Sequence, residues 1–222
     1  MKIHVIGAGG IGSYLIPCLV KTEKDVTIWD GDVFEEKNMS RQIFKESDMD
    51  RNKAEALAEM YGVQAEGRYF KKAFDLDCDV LISCVDNDAT RMDLIEYADE
   101  ENMMLIIGGN ETYAASAMVY LPEWKDTPRD PRIIYPDYVE RLGRDPRRPP
   151  CNSNEAIEEN PQLPLANMMA ASLALKLYEY YTETYKSLGE EHQQYAPHTL
   201  YASKANIRTV TIGGRDVTKA NN

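Results

Sequence analysis

Cysteine pairs at metal-binding or disulfide spacing are missing from this chain. Its four cysteines, Cys18, Cys78, Cys84 and Cys151, include no C-x-x-C, so no zinc is expected and no disulfide framework is readable. Cys18, Cys78 and Cys84 lie in or beside apolar segments, where cysteine is expected to behave as a small buried hydrophobe. Positive charge is also scarce. With 25 Lys and Arg against 37 Asp and Glu the net charge is −12, which repels a phosphate backbone and disfavours a nucleic-acid partner. Long apolar runs are absent as well: LPLANMMAASLALKLYEYY is broken by Asn167, Lys176 and Glu179. It falls short of the roughly 20 apolar residues of a bilayer span, so no membrane partner is expected. No leader precedes MKIHVIG, itself a buried-strand pattern, and a cytoplasmic location is expected. The three histidines, His4, His192 and His198, have no metal-ligand spacing and are expected to be structural or solvated.

What is present is an alternation of strand and helix signals. KIHVI, VTIWD, CDVLISCVD and MMLIIGG read as strands, the last two apolar enough for burial on both faces. GGIGSYLIPCLVK, NKAEALAEMYG and NDATRMDLIEYADEEN read as helices, with Pro17 expected to kink or shorten the first. This order implies an α/β, Rossmann-like, mainly parallel doubly wound sheet. ASAMVYL adds a strand, and TLYAS-KAN-IRTVTI a hairpin, giving a C-terminal antiparallel extension. Residues 122–150 hold seven of the eleven prolines and thirteen charged residues, and are expected to form a long, flexible loop rather than a packed core. Pro164 opens a helix to about Lys186, nearly apolar all round in its first half, which suits the core or a homodimer interface. Its tyrosines at 178, 180, 181 and 185 are expected to pack and solubilise the helix. The whole of 1–222 reads as a single domain.

Gly7, Gly9 and Gly12 stand in G-x-G-x-x-G spacing between the first strand and the first helix. The first glycine permits the tight turn and the second lets backbone approach phosphate. The third lets the helix pack closely on the strand, with its N-terminal N–H groups facing an anion. Asp30 closes the next strand, placed to bind ribose hydroxyls. This pattern specifies an adenine nucleotide without saying which one.

The residues after Asp30 discriminate. Asp32, Asn38, Arg41 and Gln42 follow, then Lys53 at a helix start and Asp86 at a strand end. The carboxyl ends of a parallel sheet face one crevice, so Asp30, Asp32 and Asp86 should converge on the glycine loop. Arg and Lys would neutralise charge developing on an α-phosphate while an acid holds Mg²⁺. The alternative for these charges is a solvated, salt-bridged surface loop.

GAGGIGS, DGDVFEEKNMSRQIF, DMDRNKAEALAE and CVDNDATR resemble, in order and spacing, the nucleotide site of the ubiquitin-activating superfamily with its ThiF and MoeB members. CNSNEAIEENPQLPLANMMAASLALKLYEYY resembles the superfamily's cysteine-to-helix segment, most closely that of the stand-alone PRTRC-type ThiF-like group. The resemblance implies a ThiF-like adenylation domain that uses ATP and Mg²⁺. Its substrate would be the C-terminal carboxylate of a ubiquitin-like or sulfur-carrier protein, and its assembly a homodimer. It assigns the phosphate cradle to Gly7, Gly9, Gly10 and Gly12, the ribose to Asp30 beside Asp32, and the phosphates to Asn38, Arg41, Gln42 and Lys53. Magnesium and acyl-adenylate chemistry fall to Asp86, with Asn87 and Arg91 close by. Arg41, Lys53, Asp86 and Cys151 are the implied catalytic residues. Cys151 either accepts the activated acyl group, with Arg144, Arg147 and Arg148 favouring its thiolate, or is an incidental cysteine before a helix.

Three departures stand out: no paired C-x-x-C, no N-terminal helices lending an arginine to a neighbour, and Asp50-Arg51 where Gly-Lys is usual. An NAD-dependent oxidoreductase and a catalytically inactive nucleotide-binding scaffold are the alternative readings of the same fold. IGGR at 212–215 reads as a glycine turn after a strand.

Overall fold

The structure is a computed structural model that describes residues 1–111, 113–136, 163–194, 196–203 and 207–210. Cys151, Arg144, Arg147, Arg148 and the 212–215 stretch lie outside these residues.

Among the described residues, eight strands form one sheet: β1 (Lys2–Ile6), β2 (Asp25–Trp29), β3 (Gln64–Glu66), β4 (Val80–Ser83), β5 (Met104–Asn110), β6 (Ala114–Tyr120), β7 (Thr199–Ser203) and β8 (Ile207–Val210). Their spatial order is β3-β2-β1-β4-β5-β6-β7-β8. The first five are parallel, with Val5 beside both Ile28 and Ile82, and pairing turns antiparallel from β5 onward. The helices are α1 (Gly10–Thr22), α2 (Lys53–Tyr61), α3 (Asp88–Glu101), α4 (Pro131–Ile134), α5 (Pro164–Glu179) and α6 (Glu190–Gln193). None of them is long and apolar enough to cross a membrane.

The apolar strands form the centre, where Ile3, Val5, Leu81, Ile82, Leu105 and Ile106 are all buried. A right-handed crossover carries β1 to β2 in one direction and β4 to β5 in the other, so α1 and α3 cover opposite faces. The chain reverses between the adjacent strands β1 and β4, and the crevice at their carboxyl ends is where such sheets bind ligands. Helix α5 packs on β5, β6 and α1, burying Ala166, Ala170, Ala171 and Ala174, while Leu165 and Met168 stay exposed. Pro164 occupies its first turn as expected, and past Glu179 the helical path loosens into a π turn and a 3-10 turn ending at Ser187.

Helix α1 runs through Pro17 to Thr22 rather than stopping at the proline. Cys18 is exposed and Cys78 half-buried; only Cys84 of the described cysteines is the fully buried hydrophobe expected. The first part of the proline-rich segment also departs from a loose loop. Trp124 and Pro131 are buried, and Asp130 caps α4. The Asp130 carboxylate accepts from Arg132 and from the Asp126 N–H, and Arg132 reaches on to Asp99 at 2.7 Å. Charge-assisted bonds of this kind let a polar, proline-rich segment pack without an apolar core of its own. Tyr178 and Tyr181 are buried, with Tyr181 edge-on to Trp124.

Candidate functional site

A cleft of about 780 Å³, counted to its open mouth, lies at the β1–β4 reversal. Gly7, Gly9 and Gly10 form its floor, and Asp30, Asp32, Arg41, Gln42, Lys53, Asp86 and Asn87 all line it.

The glycine loop is fixed by close approach. Gly7 sits at φ +102°, and a Cβ there would meet the Cys84 carbonyl oxygen at 2.8 Å. A Cβ on Gly12 would lie 2.0 Å from the Gly7 carbonyl oxygen, so Gly12 serves the helix–strand contact and does not line the cleft. Gly9 is different: a Cβ would meet only Gln42 Nε2, at 3.7 Å. The space above Gly9, at the start of α1, is therefore open, and the helix's first N–H groups are available there for an anion.

Asp30 is held by two backbone donors, the Ala8 N–H on Oδ2 at 2.7 Å and the Asp32 N–H on Oδ1 at 2.8 Å. Burial raises its pKa above the ordinary carboxylate value, while Lys53 and the two N–H groups offset part of that rise. Lys53 opens α2 behind the Asn52 cap, is 3% exposed, and donates from Nζ to Asp32 Oδ2 at 3.1 Å. The other Asp32 oxygen accepts from the Tyr69 hydroxyl. Burial works against the Asp32 charge, but the Tyr69 bond and Lys53 overcome it and hold the carboxyl below the ordinary range. The same bond, with burial, pushes Tyr69 up to about 12.

Arg41 and Gln42 are 4% and 8% exposed. Asn38 does not line the cleft. Its Oδ1 accepts the Glu35 N–H at 3.1 Å, and its carbonyl accepts the N–H groups of Arg41 and Gln42. Asn38 therefore builds the turn that presents its two neighbours. Gln42 Oε1 is buried and has no hydrogen-bond partner among the described residues, and its amide can turn either oxygen or NH₂ toward an incoming polar group. Asp86 lies exposed beyond β4, and Asn87 caps α3 by accepting the Thr90 N–H at 2.8 Å. Arg91 donates to Asp88 and to the Val85 carbonyl beside the cleft.

At the Asp50-Arg51 departure, Asp50 adopts φ +60°, a left-handed conformation that Asp tolerates better than most residues and Gly adopts freely. Arg51 turns outward to Asp48 and Glu59. His4 accepts from Trp29 Nε1 at 3.2 Å, His198 is buried, and His192 is exposed on α6.

Three further residues carry no site reading in the sequence: Tyr69 and Asn110, which line the cleft, and Asn167, which supports it through Arg41 and Asn110. Asn167 is fully buried, donates to the Arg41 carbonyl, and accepts from Asn110 Nδ2. Its only sequence signal is a lone polar residue in the apolar half of a helix. Asp30, Asp32 and Asp86 share the cleft, yet among the described residues no three metal-ligating side chains cluster together.

Among curated proteins no sequence matches significantly. Among solved structures, PaaA superposes with a TM-score of 0.63 at 15% identity, over 94% of this chain and 62% of PaaA. MccB of E. coli, solved with ATP, gives 0.62 at 18% identity over 97% and 65% of the two chains. MccB with AMPCPP and MccA gives 0.66 at 17% over the same shares. The chain thus spans a little under two-thirds of the length of these structures, which share its α/β Rossmann-like fold. The sequence pattern of the ThiF family matches residues 1–219, encompassing the glycine loop, the acid at the end of β2 and the Arg41–Lys53 segment: the chain belongs to the ThiF family.

Proposed function

We propose that the cleft binds ATP and adenylates a carboxylate of a protein substrate, specifically the C-terminal carboxylate of a ubiquitin-like or sulfur-carrier protein. The observation that carries this reading is the meeting of an open glycine cradle, a fixed Asp30, and two nearly buried cations, Arg41 and Lys53, in one cleft. Hydride transfer calls for no such cations. The occurrence of MccB with ATP and with AMPCPP plus MccA supports the same chemistry.

In this reading the ribose hydroxyls donate to Asp30 and the phosphates lie above Gly9 at the N-terminus of α1. Arg41, Lys53 and the Gln42 amide surround the α-phosphate. The incoming carboxylate oxygen attacks the α-phosphorus, the bond to the β-phosphate oxygen breaks, and pyrophosphate leaves with the negative charge. Positioning and charge neutralisation carry such a displacement. A Mg²⁺ held by phosphates and one carboxylate fits Asp86, the exposed acid at the cleft; it would neutralise phosphate charge. Cys151 is the proposed acyl acceptor for a second step, and exposed Leu165 and Met168 support a homodimer through α5.

ATP–pyrophosphate exchange tests the reading, run with small proteins ending in glycine that co-purify from the native host. Exchange that depends on the carrier and is lost in Arg41→Ala and Asp86→Ala is expected. Absence of exchange with every carrier, together with thermal protection by NADH but not by Mg·ATP, would return the cleft to nicotinamide chemistry. ATP binding without any exchange would leave a scaffold. A Cys151→Ser protein that still forms a thiol-sensitive carrier adduct would exclude Cys151.

A further inference from the structure

Tyr69 is 63% exposed, so apolar burial does little to fix it, yet its ring lies directly on the Gly31 backbone. A Cβ added at Gly31 would sit 2.7 Å from the ring carbons. The ring is held there by its hydroxyl, which donates to Asp32 Oδ1. The Asp32 backbone is already fixed: its N–H bonds Asp30, and its carbonyl accepts from the Lys53 N–H at 3.0 Å and Asn52 Nδ2 at 3.2 Å. The side-chain torsion is the freedom left to this residue, and the Tyr69 hydroxyl removes it. With Oδ1 occupied, Oδ2 points to Lys53 Nζ at 3.1 Å.

We propose that Tyr69 is a positioning residue for Lys53, acting through Asp32, and that Gly31 is the bed its ring requires. The proposal rests on the nucleotide reading above, since Lys53 is taken to meet the phosphates. An unanchored Asp32 carboxylate would rotate toward solvent or draw Lys53 out of line, and the ammonium would no longer be presented at one place in the cleft. Preorganisation of this kind favours the phosphates in bound ATP and in the transition state alike, so its loss is read mainly as weaker ATP binding.

The test is ATP binding by equilibrium dialysis, alongside exchange at saturating ATP, on the full chain. Tyr69→Phe keeps the ring and removes the hydroxyl; it should weaken ATP binding about three- to ten-fold. Its exchange rate at saturation should stay within about two-fold of wild type, and its melting temperature should not change. Gly31→Ala, which pushes the ring off its bed, should weaken binding similarly and add nothing to Tyr69→Ala, because the two act through one ring. Tyr69→Phe binding like wild type overturns the proposal, and loss confined to Tyr69→Ala would mean that the ring itself touches the ligand. Additive effects of Gly31→Ala and Tyr69→Ala overturn it as well. A wild-type protein that binds no ATP overturns both this proposal and the nucleotide reading, whereas wild-type binding with an equal Tyr69→Phe overturns this one alone.

Discussion

Asn167 donates from Nδ2 to the Arg41 carbonyl at 2.9 Å, tying α5 to the turn that carries the arginine. The same side chain accepts from Asn110 and packs where a Cβ on Gly10 would fall, 2.8 Å from its Oδ1. One buried amide thus joins the glycine loop, the arginine turn and the end of β5. Asn167→Ala strands both the Arg41 carbonyl and the Asn110 amide, and should cost about 1–3 kcal/mol in denaturant unfolding. Asn167→Asp keeps the size but removes the donor, and should weaken ATP binding in the protein that remains folded. Unchanged affinity in Asn167→Asp would show that Arg41 is placed without this bond.

The glycines separate folding from binding. Gly12→Ala forces a methyl to within 2.0 Å of the Gly7 oxygen and should destabilise the protein by about 2–4 kcal/mol. Gly9→Ala meets nothing closer than Gln42 Nε2 at 3.7 Å, and should melt like wild type while losing nucleotide, because the methyl would enter the space proposed for the phosphate. Thermal melts paired with ATP titrations check both expectations.

Removing a buried cation should act on chemistry more than on fold. Arg41→Ala is expected to lower ATP–pyrophosphate exchange by about 10²-fold or more, the scale of a lost transition-state charge partner, and Lys53→Met to weaken ATP binding by more than Tyr69→Phe does. Lys53→Met also leaves Asp32 without its ion pair, so the Asp32 carboxyl should titrate higher than in wild type. Carboxylate-resolved NMR titration of the two proteins would measure that rise.

His198 gives the protein an acid-sensitive element away from the cleft. Its Nε2 lies 2.9 Å from the Arg129 carbonyl, which only accepts, so Nε2 carries the proton and Nδ1 accepts from the Thr199 hydroxyl. Burial drops its pKa from 6.5 to about 4. The unfolded chain therefore binds a proton that the folded one refuses, and stability should fall as pH drops from about 6.5 toward about 4. The loss amounts to about 2–4 kcal/mol. His198→Gln should flatten that part of the stability–pH curve; an unchanged slope would mean that another group dominates it.

The central strands and the glycine turn were readable because apolar runs bounded by glycine and acid repeat the local rules of a buried parallel sheet. Strand β3 was not read: it is three residues long, carries Gln64 and Glu66, and gains its identity only by pairing with β2. The 122–150 segment reads as loose because of its seven prolines and thirteen charged residues, yet its first part is packed by the Arg132–Asp99 bond, which joins positions 33 residues apart. The cleft shows the same division. Arg41, Gln42 and Lys53 are visible as residue types at motif spacing, whereas the part Asn38 plays in shaping the turn, through its Oδ1 and its carbonyl, is not. Tyr69 and Asn167 work through partners 37 and 126 residues away, a separation across which sequence pattern carries no information.

That last separation also sets an order of events during synthesis. The glycine loop, the arginine turn and Lys53 all leave the ribosome within the first quarter of the chain, but the amide that ties down the Arg41 carbonyl arrives with α5. A domain generally folds as a unit, so until α5 has emerged the arginine turn lacks that anchor. The cleft therefore depends on both ends of the chain, and the C-terminal third supplies its last tie.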